Sequence, residues 1–239
     1  MSTGSAAVER LSPAEIENRL ARASVAYLPL GSLEFHGPHL PIGLDALTAH
    51  GICLRAAELA GGIVLPPFYQ GIGGEHSRYP WTLMSEQPGA IETLLGETLG
   101  RLDELGVRHA VLLSGHFADE QRGLVTRIAD RWNAAGRELR AVARTIGQVP
   151  EPPVQPDHAG RFESLLLHAI DPALVHVDRL PDPVAFPAPA GEDQYGPGRH
   201  DTAHPLHGVF GADPRGLDTE AAEPLLAHLA AWVASLTSP

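Results

Sequence analysis

Short apolar runs alternate along this chain with longer segments in which apolar residues have helical spacing. The strand-like runs cover residues 25–30, 63–65, 110–114 and 139–145. The helical segments between them cover residues 46–59, 91–105 and 120–135. Such alternation is typical of βαβ units, in which helices cover both faces of a mostly parallel sheet. The sequence therefore predicts an α/β fold.

The ends of the chain extend this pattern without adding a second domain. Ser12, as N-cap, and Pro13, in the first helical position, predict a short helix to about Ala21. A short helix over 162–170 and an amphipathic helix over 219–236 follow later. With no second hydrophobic block, we expect one domain over 1–239, with a disordered tail over about residues 1–10.

Composition excludes several classes of protein. The 239 residues include 17 Lys and Arg against 29 Asp and Glu, a net charge of −12, and they show no basic stripe for nucleic acid. The single Cys53 rules out a disulfide framework and predicts a reducing compartment. The apolar runs are too short for a membrane helix, and no leader pattern opens the chain. We expect a soluble cytoplasmic protein without nucleic-acid or membrane partners.

Candidate ligands follow the predicted strands, where open α/β sheets bind their substrates. The first strand leads into Gly31-Ser32-Leu33-Glu34-Phe35-His36, and the loop continues to Asp45. His116 follows the third strand. His158 and Glu163 lie at the start of the short helix. These side chains converge on one edge of the predicted sheet.

Metal chemistry explains this combination of residue types. Glu34 and His36 are two residues apart, so in extended backbone both leave the same face. Asp45 has two oxygens and can bridge two cations, and His116 and Glu163 complete a set suited to Zn²⁺ or Mn²⁺. Two divalent ions and three carboxylates leave a charge of +1, which a bound hydroxide cancels. A metal pair of this kind lowers the pKa of water to about 7.

Each residue also has a structural interpretation. Asp45 can cap the helix that follows it, and Glu163 suits a helix N-terminus in any case. Glu34 and His36 can form a solvated turn, His116 can be a packed histidine, and His158 can lie at the surface.

Other motifs point to weaker possibilities. The run from Gly71 to Gly74 lacks the spacing of a phosphate-binding loop, and Ser114 lacks the frame of a nucleophile elbow. Cys53 is expected to be a small core residue. Glu75 and His76, with the nearby Trp81, follow the second strand and are expected at the rim as substrate contacts.

The chain resembles the creatininase (creatinine amidohydrolase) family in several segments. The opening motif runs from Leu28 to Pro41 and is followed by Asp45. The other matching segments are Glu75-His76, Ser114-Gly115-His116, His158-Ala159-Gly160 with Glu163-Ser164, and Gly208-Val209-Phe210-Gly211. The resemblance implies a three-layer α/β/α sandwich, a homohexamer, two divalent metal ions and hydrolysis of a carbon–nitrogen amide bond.

The resemblance also implies roles for individual residues. The implied metal ligands are Glu34, His36, Asp45, His116 and Glu163, with Asp45 bridging. His158 resembles the histidine that transfers a proton to the leaving nitrogen after attack by a bridging hydroxide.

This chain departs from the family pattern around the expected pocket. Here Ala118 has no ligating group, so Glu163 is the expected fifth ligand. Trp81 stands where glycine is common and would narrow the pocket, and Phe117 is expected to contact substrate. The absence of Trp between Ala141 and Asp157 argues against creatinine itself. A small cyclic amide is the first interpretation; a linear-amide peptidase or deformylase, and a non-hydrolytic metal-binding protein with this fold, remain alternatives.

Overall fold

A computed structural model describes residues 5–237, except for the side chain of Glu75. Within this part of the chain, four parallel strands form one sheet in the order β2-β1-β3-β4. The strands are β1 (Val25–Leu30), β2 (Ile63–Val64), β3 (His109–Ser114) and β4 (Arg140–Thr145). The helices are α1 (Pro13–Arg22), α2 (Leu44–Ala60), α3 (Pro88–Glu104), α4 (Asp119–Ala134), α5 (Arg161–Ile170) and α6 (Ala222–Ser235).

Helices cover both faces of the sheet because the strands are apolar on both faces. Tyr27 and Val111 face a core that they share with α2, α5 and α6. Their strand neighbours Leu28 and Leu112 face the opposite core, formed with α3 and α4. The predicted α/β/α sandwich is therefore confirmed.

The strand order places a topological switch point between β1 and β3. The chain leaves β1 for β2 on one side and then crosses β1 to reach β3 on the other. Loops from the carboxyl ends of two such strands diverge and leave a crevice, where ligands bind in sheets of this type. The loop after β1 carries Glu34 and His36, and the loop after β3 carries His116.

Close backbone contacts bring the start of α2 to this crevice. A Cβ on Gly31 would lie 2.2 Å from the amide nitrogen of Ala46, and one on Gly115 would lie 1.9 Å from the carbonyl oxygen of Asp45. Both contacts are too short for any residue but glycine. These two glycines therefore allow Asp45 to reach the strand ends.

The N-terminal segment is attached to the sheet from residue 6 onward. Ala6 and Ala7 are buried, and the N–H of Val64 donates to the carbonyl of Ala6. A 3₁₀ turn over Val8–Arg10 follows. The expectation of a disordered tail to about residue 10 is therefore wrong for residues 6–10, while residues 1–4 lie outside the described part. In residues 5–237, no helix has both the length and the apolar character needed to cross a membrane.

Candidate metal centre

Five separate parts of the chain bring polar side chains into one cluster. They are the loops after β1, β2 and β3 and the first turns of α2 and α5, which all open into the crevice between β1 and β3. The cavity there has a volume of about 150 Å³. It is lined by Glu34, Asp45, Gly74, His76, His116, Phe117, Ala118, His158 and Glu163.

His36 directs its Nε2 at two carboxylates. Its Nδ1–H donates to the carbonyl oxygen of Glu34 at 2.9 Å, so in the neutral ring Nε2 is the atom that carries the lone pair. Nε2 lies 3.1 Å from Asp45 Oδ1 and 3.4 Å from Glu163 Oε2, yet it has no hydrogen-bond partner among the described residues. Three electron-rich atoms around one fully buried point fit a shared cation.

His116 repeats this arrangement on the other side of Asp45. Its Nε2–H donates to the carbonyl oxygen of Ile72 at 3.1 Å, so Nδ1 carries the lone pair. Nδ1 lies 2.9 Å from Glu34 Oε2 and 3.5 Å from Asp45 Oδ2. Backbone carbonyls thus fix both rings in the tautomer that a metal ion requires.

Asp45 lies between the two groups, with one oxygen facing each of them. The structure places it in the first turn of α2, where Gly43 is the N-cap, so the alternative of a helix-capping side chain is wrong. Its Oδ2 instead accepts hydrogen bonds from the backbone N–H of Ser32 at 3.2 Å and from the Ser32 hydroxyl. Sequence analysis did not identify Ser32, because a serine in a loop carries no periodic or spacing signal.

Glu34 also contacts the rim of the cavity. Its Oε1 accepts a hydrogen bond from Nδ1 of His76, while its Oε2 faces His116. Of the His76 side chain, 15% is exposed, so this histidine connects the buried cluster with the cavity mouth. His76 therefore orients a candidate ligand as well as lining the space where substrate would lie.

His158 is held at the cavity by its ring and by its backbone. Its Nε2–H donates to the carbonyl oxygen of Phe35 at 3.0 Å, and Nδ1 faces Glu34 Oε1 at 3.9 Å. Its N–H and C=O pair with those of Phe210, both at 2.8 Å. A neutral His158 therefore offers a lone pair on Nδ1 to the cavity.

Burial and charge shift the pKa values of the cluster in opposite directions. Burial opposes charge on His36, but Glu163 and Asp45 outweigh it and raise its pKa to about 10. Burial also opposes charge on His116, but Glu34 and Asp45 outweigh it and raise the pKa of His116 to about 9. Burial and the charge on His36 together lower the pKa of His158 well below its usual value. The carboxylates thus demand positive charge at His36 and His116, whereas His158 stays neutral.

The donor set fits divalent cations at both positions. Nitrogen from imidazole and oxygen from carboxylate are the ligands of Zn²⁺ and Mn²⁺. Three groups among the described residues are close enough to hold an ion: Glu34, His36 and Asp45; His36, His158 and Glu163; and Glu34, His76 and His158. His116 joins them through its contacts with Glu34 and Asp45, so the five sequence-predicted ligands lie together.

The predicted substrate contacts are less uniform. His76 and Phe117 line the cavity. Trp81 does not line it; its side chain is 77% exposed and its backbone has a φ of 65°. Glu75 begins a 3₁₀ turn at the rim, but its side chain lies outside the described part. Of the three described side chains, the structure therefore brings two, His76 and Phe117, to the site.

Comparisons with known proteins agree with this geometry. A family model for creatininase, described as creatinine amidohydrolase, matches residues 9–237. Creatinine amidohydrolase of Pseudomonas putida is 31% identical over 202 residues, which span 72% of this chain and 75% of that protein. Mycofactocin precursor peptide peptidase of Mycolicibacterium smegmatis is 35% identical over 160 residues, which span 64% of this chain and 60% of the peptidase. A crystal structure of creatininase superposes with a TM-score of 0.79 at 25% identity and covers 98% of this chain and 97% of its own.

Proposed function

This chain belongs to the creatininase family of hydrolases that act on carbon–nitrogen amide bonds, and on that premise we propose that it is a dinuclear metal-dependent amidohydrolase. Its substrate is a small amide, with a cyclic amide as the first candidate. The observation that carries the proposal is the arrangement of His36 and His116 on either side of Asp45. In each imidazole one nitrogen bonds a backbone carbonyl, and the other is directed at two carboxylates.

The ligands divide between two positions that share Asp45. His36 and Glu163 would hold one ion, while His116 and Glu34 would hold the other. Two divalent cations there would lower the pKa of a bound water to near neutrality and polarise an amide carbonyl. Ser32 keeps Asp45 oriented through two hydrogen bonds to Oδ2.

His158 transfers the proton in this proposal. Its Nε2–H is tied to Phe35, so only Nδ1 can take up a proton from the cavity and pass it to the leaving nitrogen. Burial lowers the pKa of His158, so the ring gives up readily a proton that it has accepted. Substitution of His158 by alanine should abolish turnover while both metal ions stay bound.

The cavity favours a small substrate. Apart from the polar cluster, its lining consists of Gly74, Phe117 and Ala118, which present no charge, and its volume is about 150 Å³. A linear amide is the second candidate, because a peptide peptidase is 35% identical to this chain over 160 residues. A non-hydrolytic metal-binding protein is the third candidate. Loss of a ligand would favour it, whereas the described residues retain groups that could hold an ion.

A combined metal and activity assay tests the proposal. Protein purified with Zn²⁺ or Mn²⁺ is expected to contain about two ions per chain by elemental analysis, and to hydrolyse members of a panel of lactams, cyclic ureides, formyl amides and short peptides. Cleavage confined to peptides would favour the second candidate. Less than one ion per chain after metal-replete purification would contradict the dinuclear centre, and two ions without hydrolysis would favour the third candidate.

We propose in addition that the chain assembles with copies of itself, as a hexamer, and that it functions in the cytoplasm. The family resemblance supports the hexamer, and the single buried Cys53 fits a reducing compartment. Light scattering after size-exclusion chromatography would give the mass of the assembly; a monomer at micromolar concentration would contradict it.

A further inference from the structure

Ala159, directly after the proposed proton-transfer histidine, has a conformation that L residues rarely adopt. Its φ is 56°, in the left-handed region, and it is completely buried. Such a conformation in a non-glycine residue persists only where its surroundings enforce it, and it occurs preferentially at functional sites. The turn at Ala159 leads directly into the helix that carries Glu163.

Both backbone groups of Ala159 have partners that hold this turn. Its N–H donates to Glu163 Oε2 at 2.6 Å. Its carbonyl oxygen accepts a hydrogen bond from His39 Nε2 at 3.1 Å, across 120 positions of the chain. The first bond is local to the turn, whereas the His39 bond ties Ala159 itself to the loop after β1.

His39 makes its shortest polar contact through this bond, and its Nε2 also lies 3.4 Å from the hydroxyl of Ser164. The carbonyl acceptor requires the proton on Nε2, and Nδ1 has no hydrogen-bond partner among the described residues. The ring is completely buried, and burial lowers its pKa to about 4, so it is neutral. An apolar residue would avoid the unsatisfied nitrogen. What histidine adds at this position is the N–H that it donates to Ala159.

We propose that His39 is a positioning residue that holds Ala159 in its left-handed turn and thereby places the imidazole of His158 in the cavity. The proposal rests on the proton-transfer role of His158 given above. Both backbone groups of His158 pair with Phe210 and its ring bonds the carbonyl of Phe35, while the turn at Ala159 sets the direction in which the chain leaves this residue. Without the His39 bond, the strain at Ala159 is released by a backbone change, and His158 Nδ1 loses its direction.

Substitutions at both ends of the bond test the proposal. His39→Leu removes the donor and keeps an apolar side chain, and kcat is expected to fall on the order of 100-fold, with a smaller change in KM. His39→Gln places an amide N–H near the position of Nε2 and is expected to keep most of the turnover. Ala159→Gly adopts the left-handed turn without strain, so it is expected to restore much of the turnover lost in His39→Leu.

Two measurements do not depend on catalysis. In ¹⁵N-histidine NMR spectra, His158 of the unsubstituted protein is expected to hold its proton on Nε2, and His39→Leu is expected to give an averaged tautomer that Ala159→Gly reverses. In urea unfolding, the double variant is expected to be more stable than the sum of the single effects predicts.

Additive effects of the two substitutions, or an unchanged His158 signal in His39→Leu, would overturn the positioning role. Normal turnover in a His158→Ala variant would instead contradict the proposed function, while the spectra and the unfolding data would still decide the role of His39.

Discussion

The position of one proton on each imidazole determines what the cluster can bind. In His36 the proton lies on Nδ1 because the carbonyl of Glu34 accepts it, and in His116 it lies on Nε2 because the carbonyl of Ile72 accepts it. The opposite tautomer in either ring would point an N–H at carboxylates and exclude a cation. Main-chain atoms therefore set the ligand character of both residues before any ion binds.

Glu163 and Asp45 should differ in how many ions depend on them. Glu163 lies near His36 alone among the two ligand histidines, whereas Asp45 has one oxygen toward His36 and the other toward His116. An amide is a weaker ligand than a carboxylate, and it removes one negative charge. Glu163→Gln is therefore expected to lower the metal content from about two ions to about one per chain, and Asp45→Asn to lower it below one.

Elemental analysis of dialysed protein measures this difference. Glu92→Gln is a matched control, because Glu92 pairs with Arg131 on the outer surface and lies away from the cavity. The control should retain two ions. Two ions in Glu163→Gln would show that Glu163 is not a ligand.

At the scale of elements, the approach of α2 to the end of β3 fixes the geometry of the cluster. The Cβ of an alanine at position 115 would lie 1.9 Å from the carbonyl oxygen of Asp45, and backbone atoms on both sides leave nothing flexible to move. Gly115→Ala is therefore expected to push α2 away, to lower the free energy of unfolding by about 2 kcal/mol or more, and to weaken metal binding. Urea unfolding and metal titration measure the two effects.

Gly100 provides the control for the same substitution. It lies inside α3, and a Cβ built there would have no neighbouring atom of the described residues within 4 Å outside its own helix backbone. Gly100→Ala should leave metal binding unchanged and stabilise the protein by up to about 1 kcal/mol, since alanine favours a helix. Equal effects at positions 100 and 115 would mean that the contact with Asp45 does not matter.

The proline-rich segment after α5, residues 181–207, is stabilised by a partly buried ionic cluster. Arg199 is 1% exposed and donates to the carboxylate of Glu192 and to the carbonyl of Val209. His204 Nε2 donates to the other oxygen of Glu192 at 2.8 Å. The cluster fixes the backbone next to Phe210, which pairs with His158. It thereby links this segment to the candidate site.

This cluster makes stability depend on pH. Burial opposes ionisation of Glu192, but the hydrogen bonds from Arg199 and His204 outweigh it and lower its pKa. A carboxyl group with a lowered folded-state pKa stabilises the fold above its unfolded pKa, and this stabilisation is lost as the pH falls through the folded value. Glu192→Gln is therefore expected to lose stability at pH 7 and to converge with the unsubstituted protein below about pH 4.5.

Thermal unfolding between pH 7 and pH 3 measures the difference between the two proteins. Glu58→Gln is the control, since Glu58 is exposed on α2 and its substitution should leave the pH profile unchanged. A constant difference between Glu192→Gln and the unsubstituted protein at every pH would contradict an ionic role for Glu192.

At the scale of the whole molecule, local patterns were enough to predict the architecture. The apolar runs and the helical spacing predicted the boundaries of the strands and helices to within three residues, because both faces of a parallel sheet must be apolar. The starts of α3 and α6 differ most from the prediction, by three residues each. A 3₁₀ turn occupies Thr219–Ala221 before α6 begins, with the side chain of Asp218 accepting from the N–H of Glu220.

The site was predictable only as far as strand ends reveal it. Residues that follow β1 and β3 must meet at the switch point, which brings Glu34, His36 and His116 together. The roles of Ser32 and His39 were not predictable, because each depends on a contact with a distant part of the chain. Trp81 is exposed and has a left-handed backbone, and neither property is visible in the sequence.

Charge links the site to the stability of the whole molecule. The net charge of −12 includes Glu34, Asp45 and Glu163, each only 1% exposed. Two divalent cations would offset these charges and join the loop after β1, the start of α2, the loop after β3 and α5. At a metal concentration about 100-fold above Kd, each bound ion adds about 2.7 kcal/mol, which raises Tm by roughly 5–10 °C per ion for a domain of this size.

Thermal unfolding of chelated and metal-loaded protein measures this contribution. The loaded protein is expected to melt at the higher temperature, and Asp45→Asn, which cannot bridge the two ions, is expected to melt at the same temperature with or without metal. The Gly100→Ala variant should show the full metal-dependent rise, because its substitution lies on the outer surface of α3. Equal Tm values for chelated and loaded unsubstituted protein would mean that the buried carboxylates are balanced by protons rather than by metal ions.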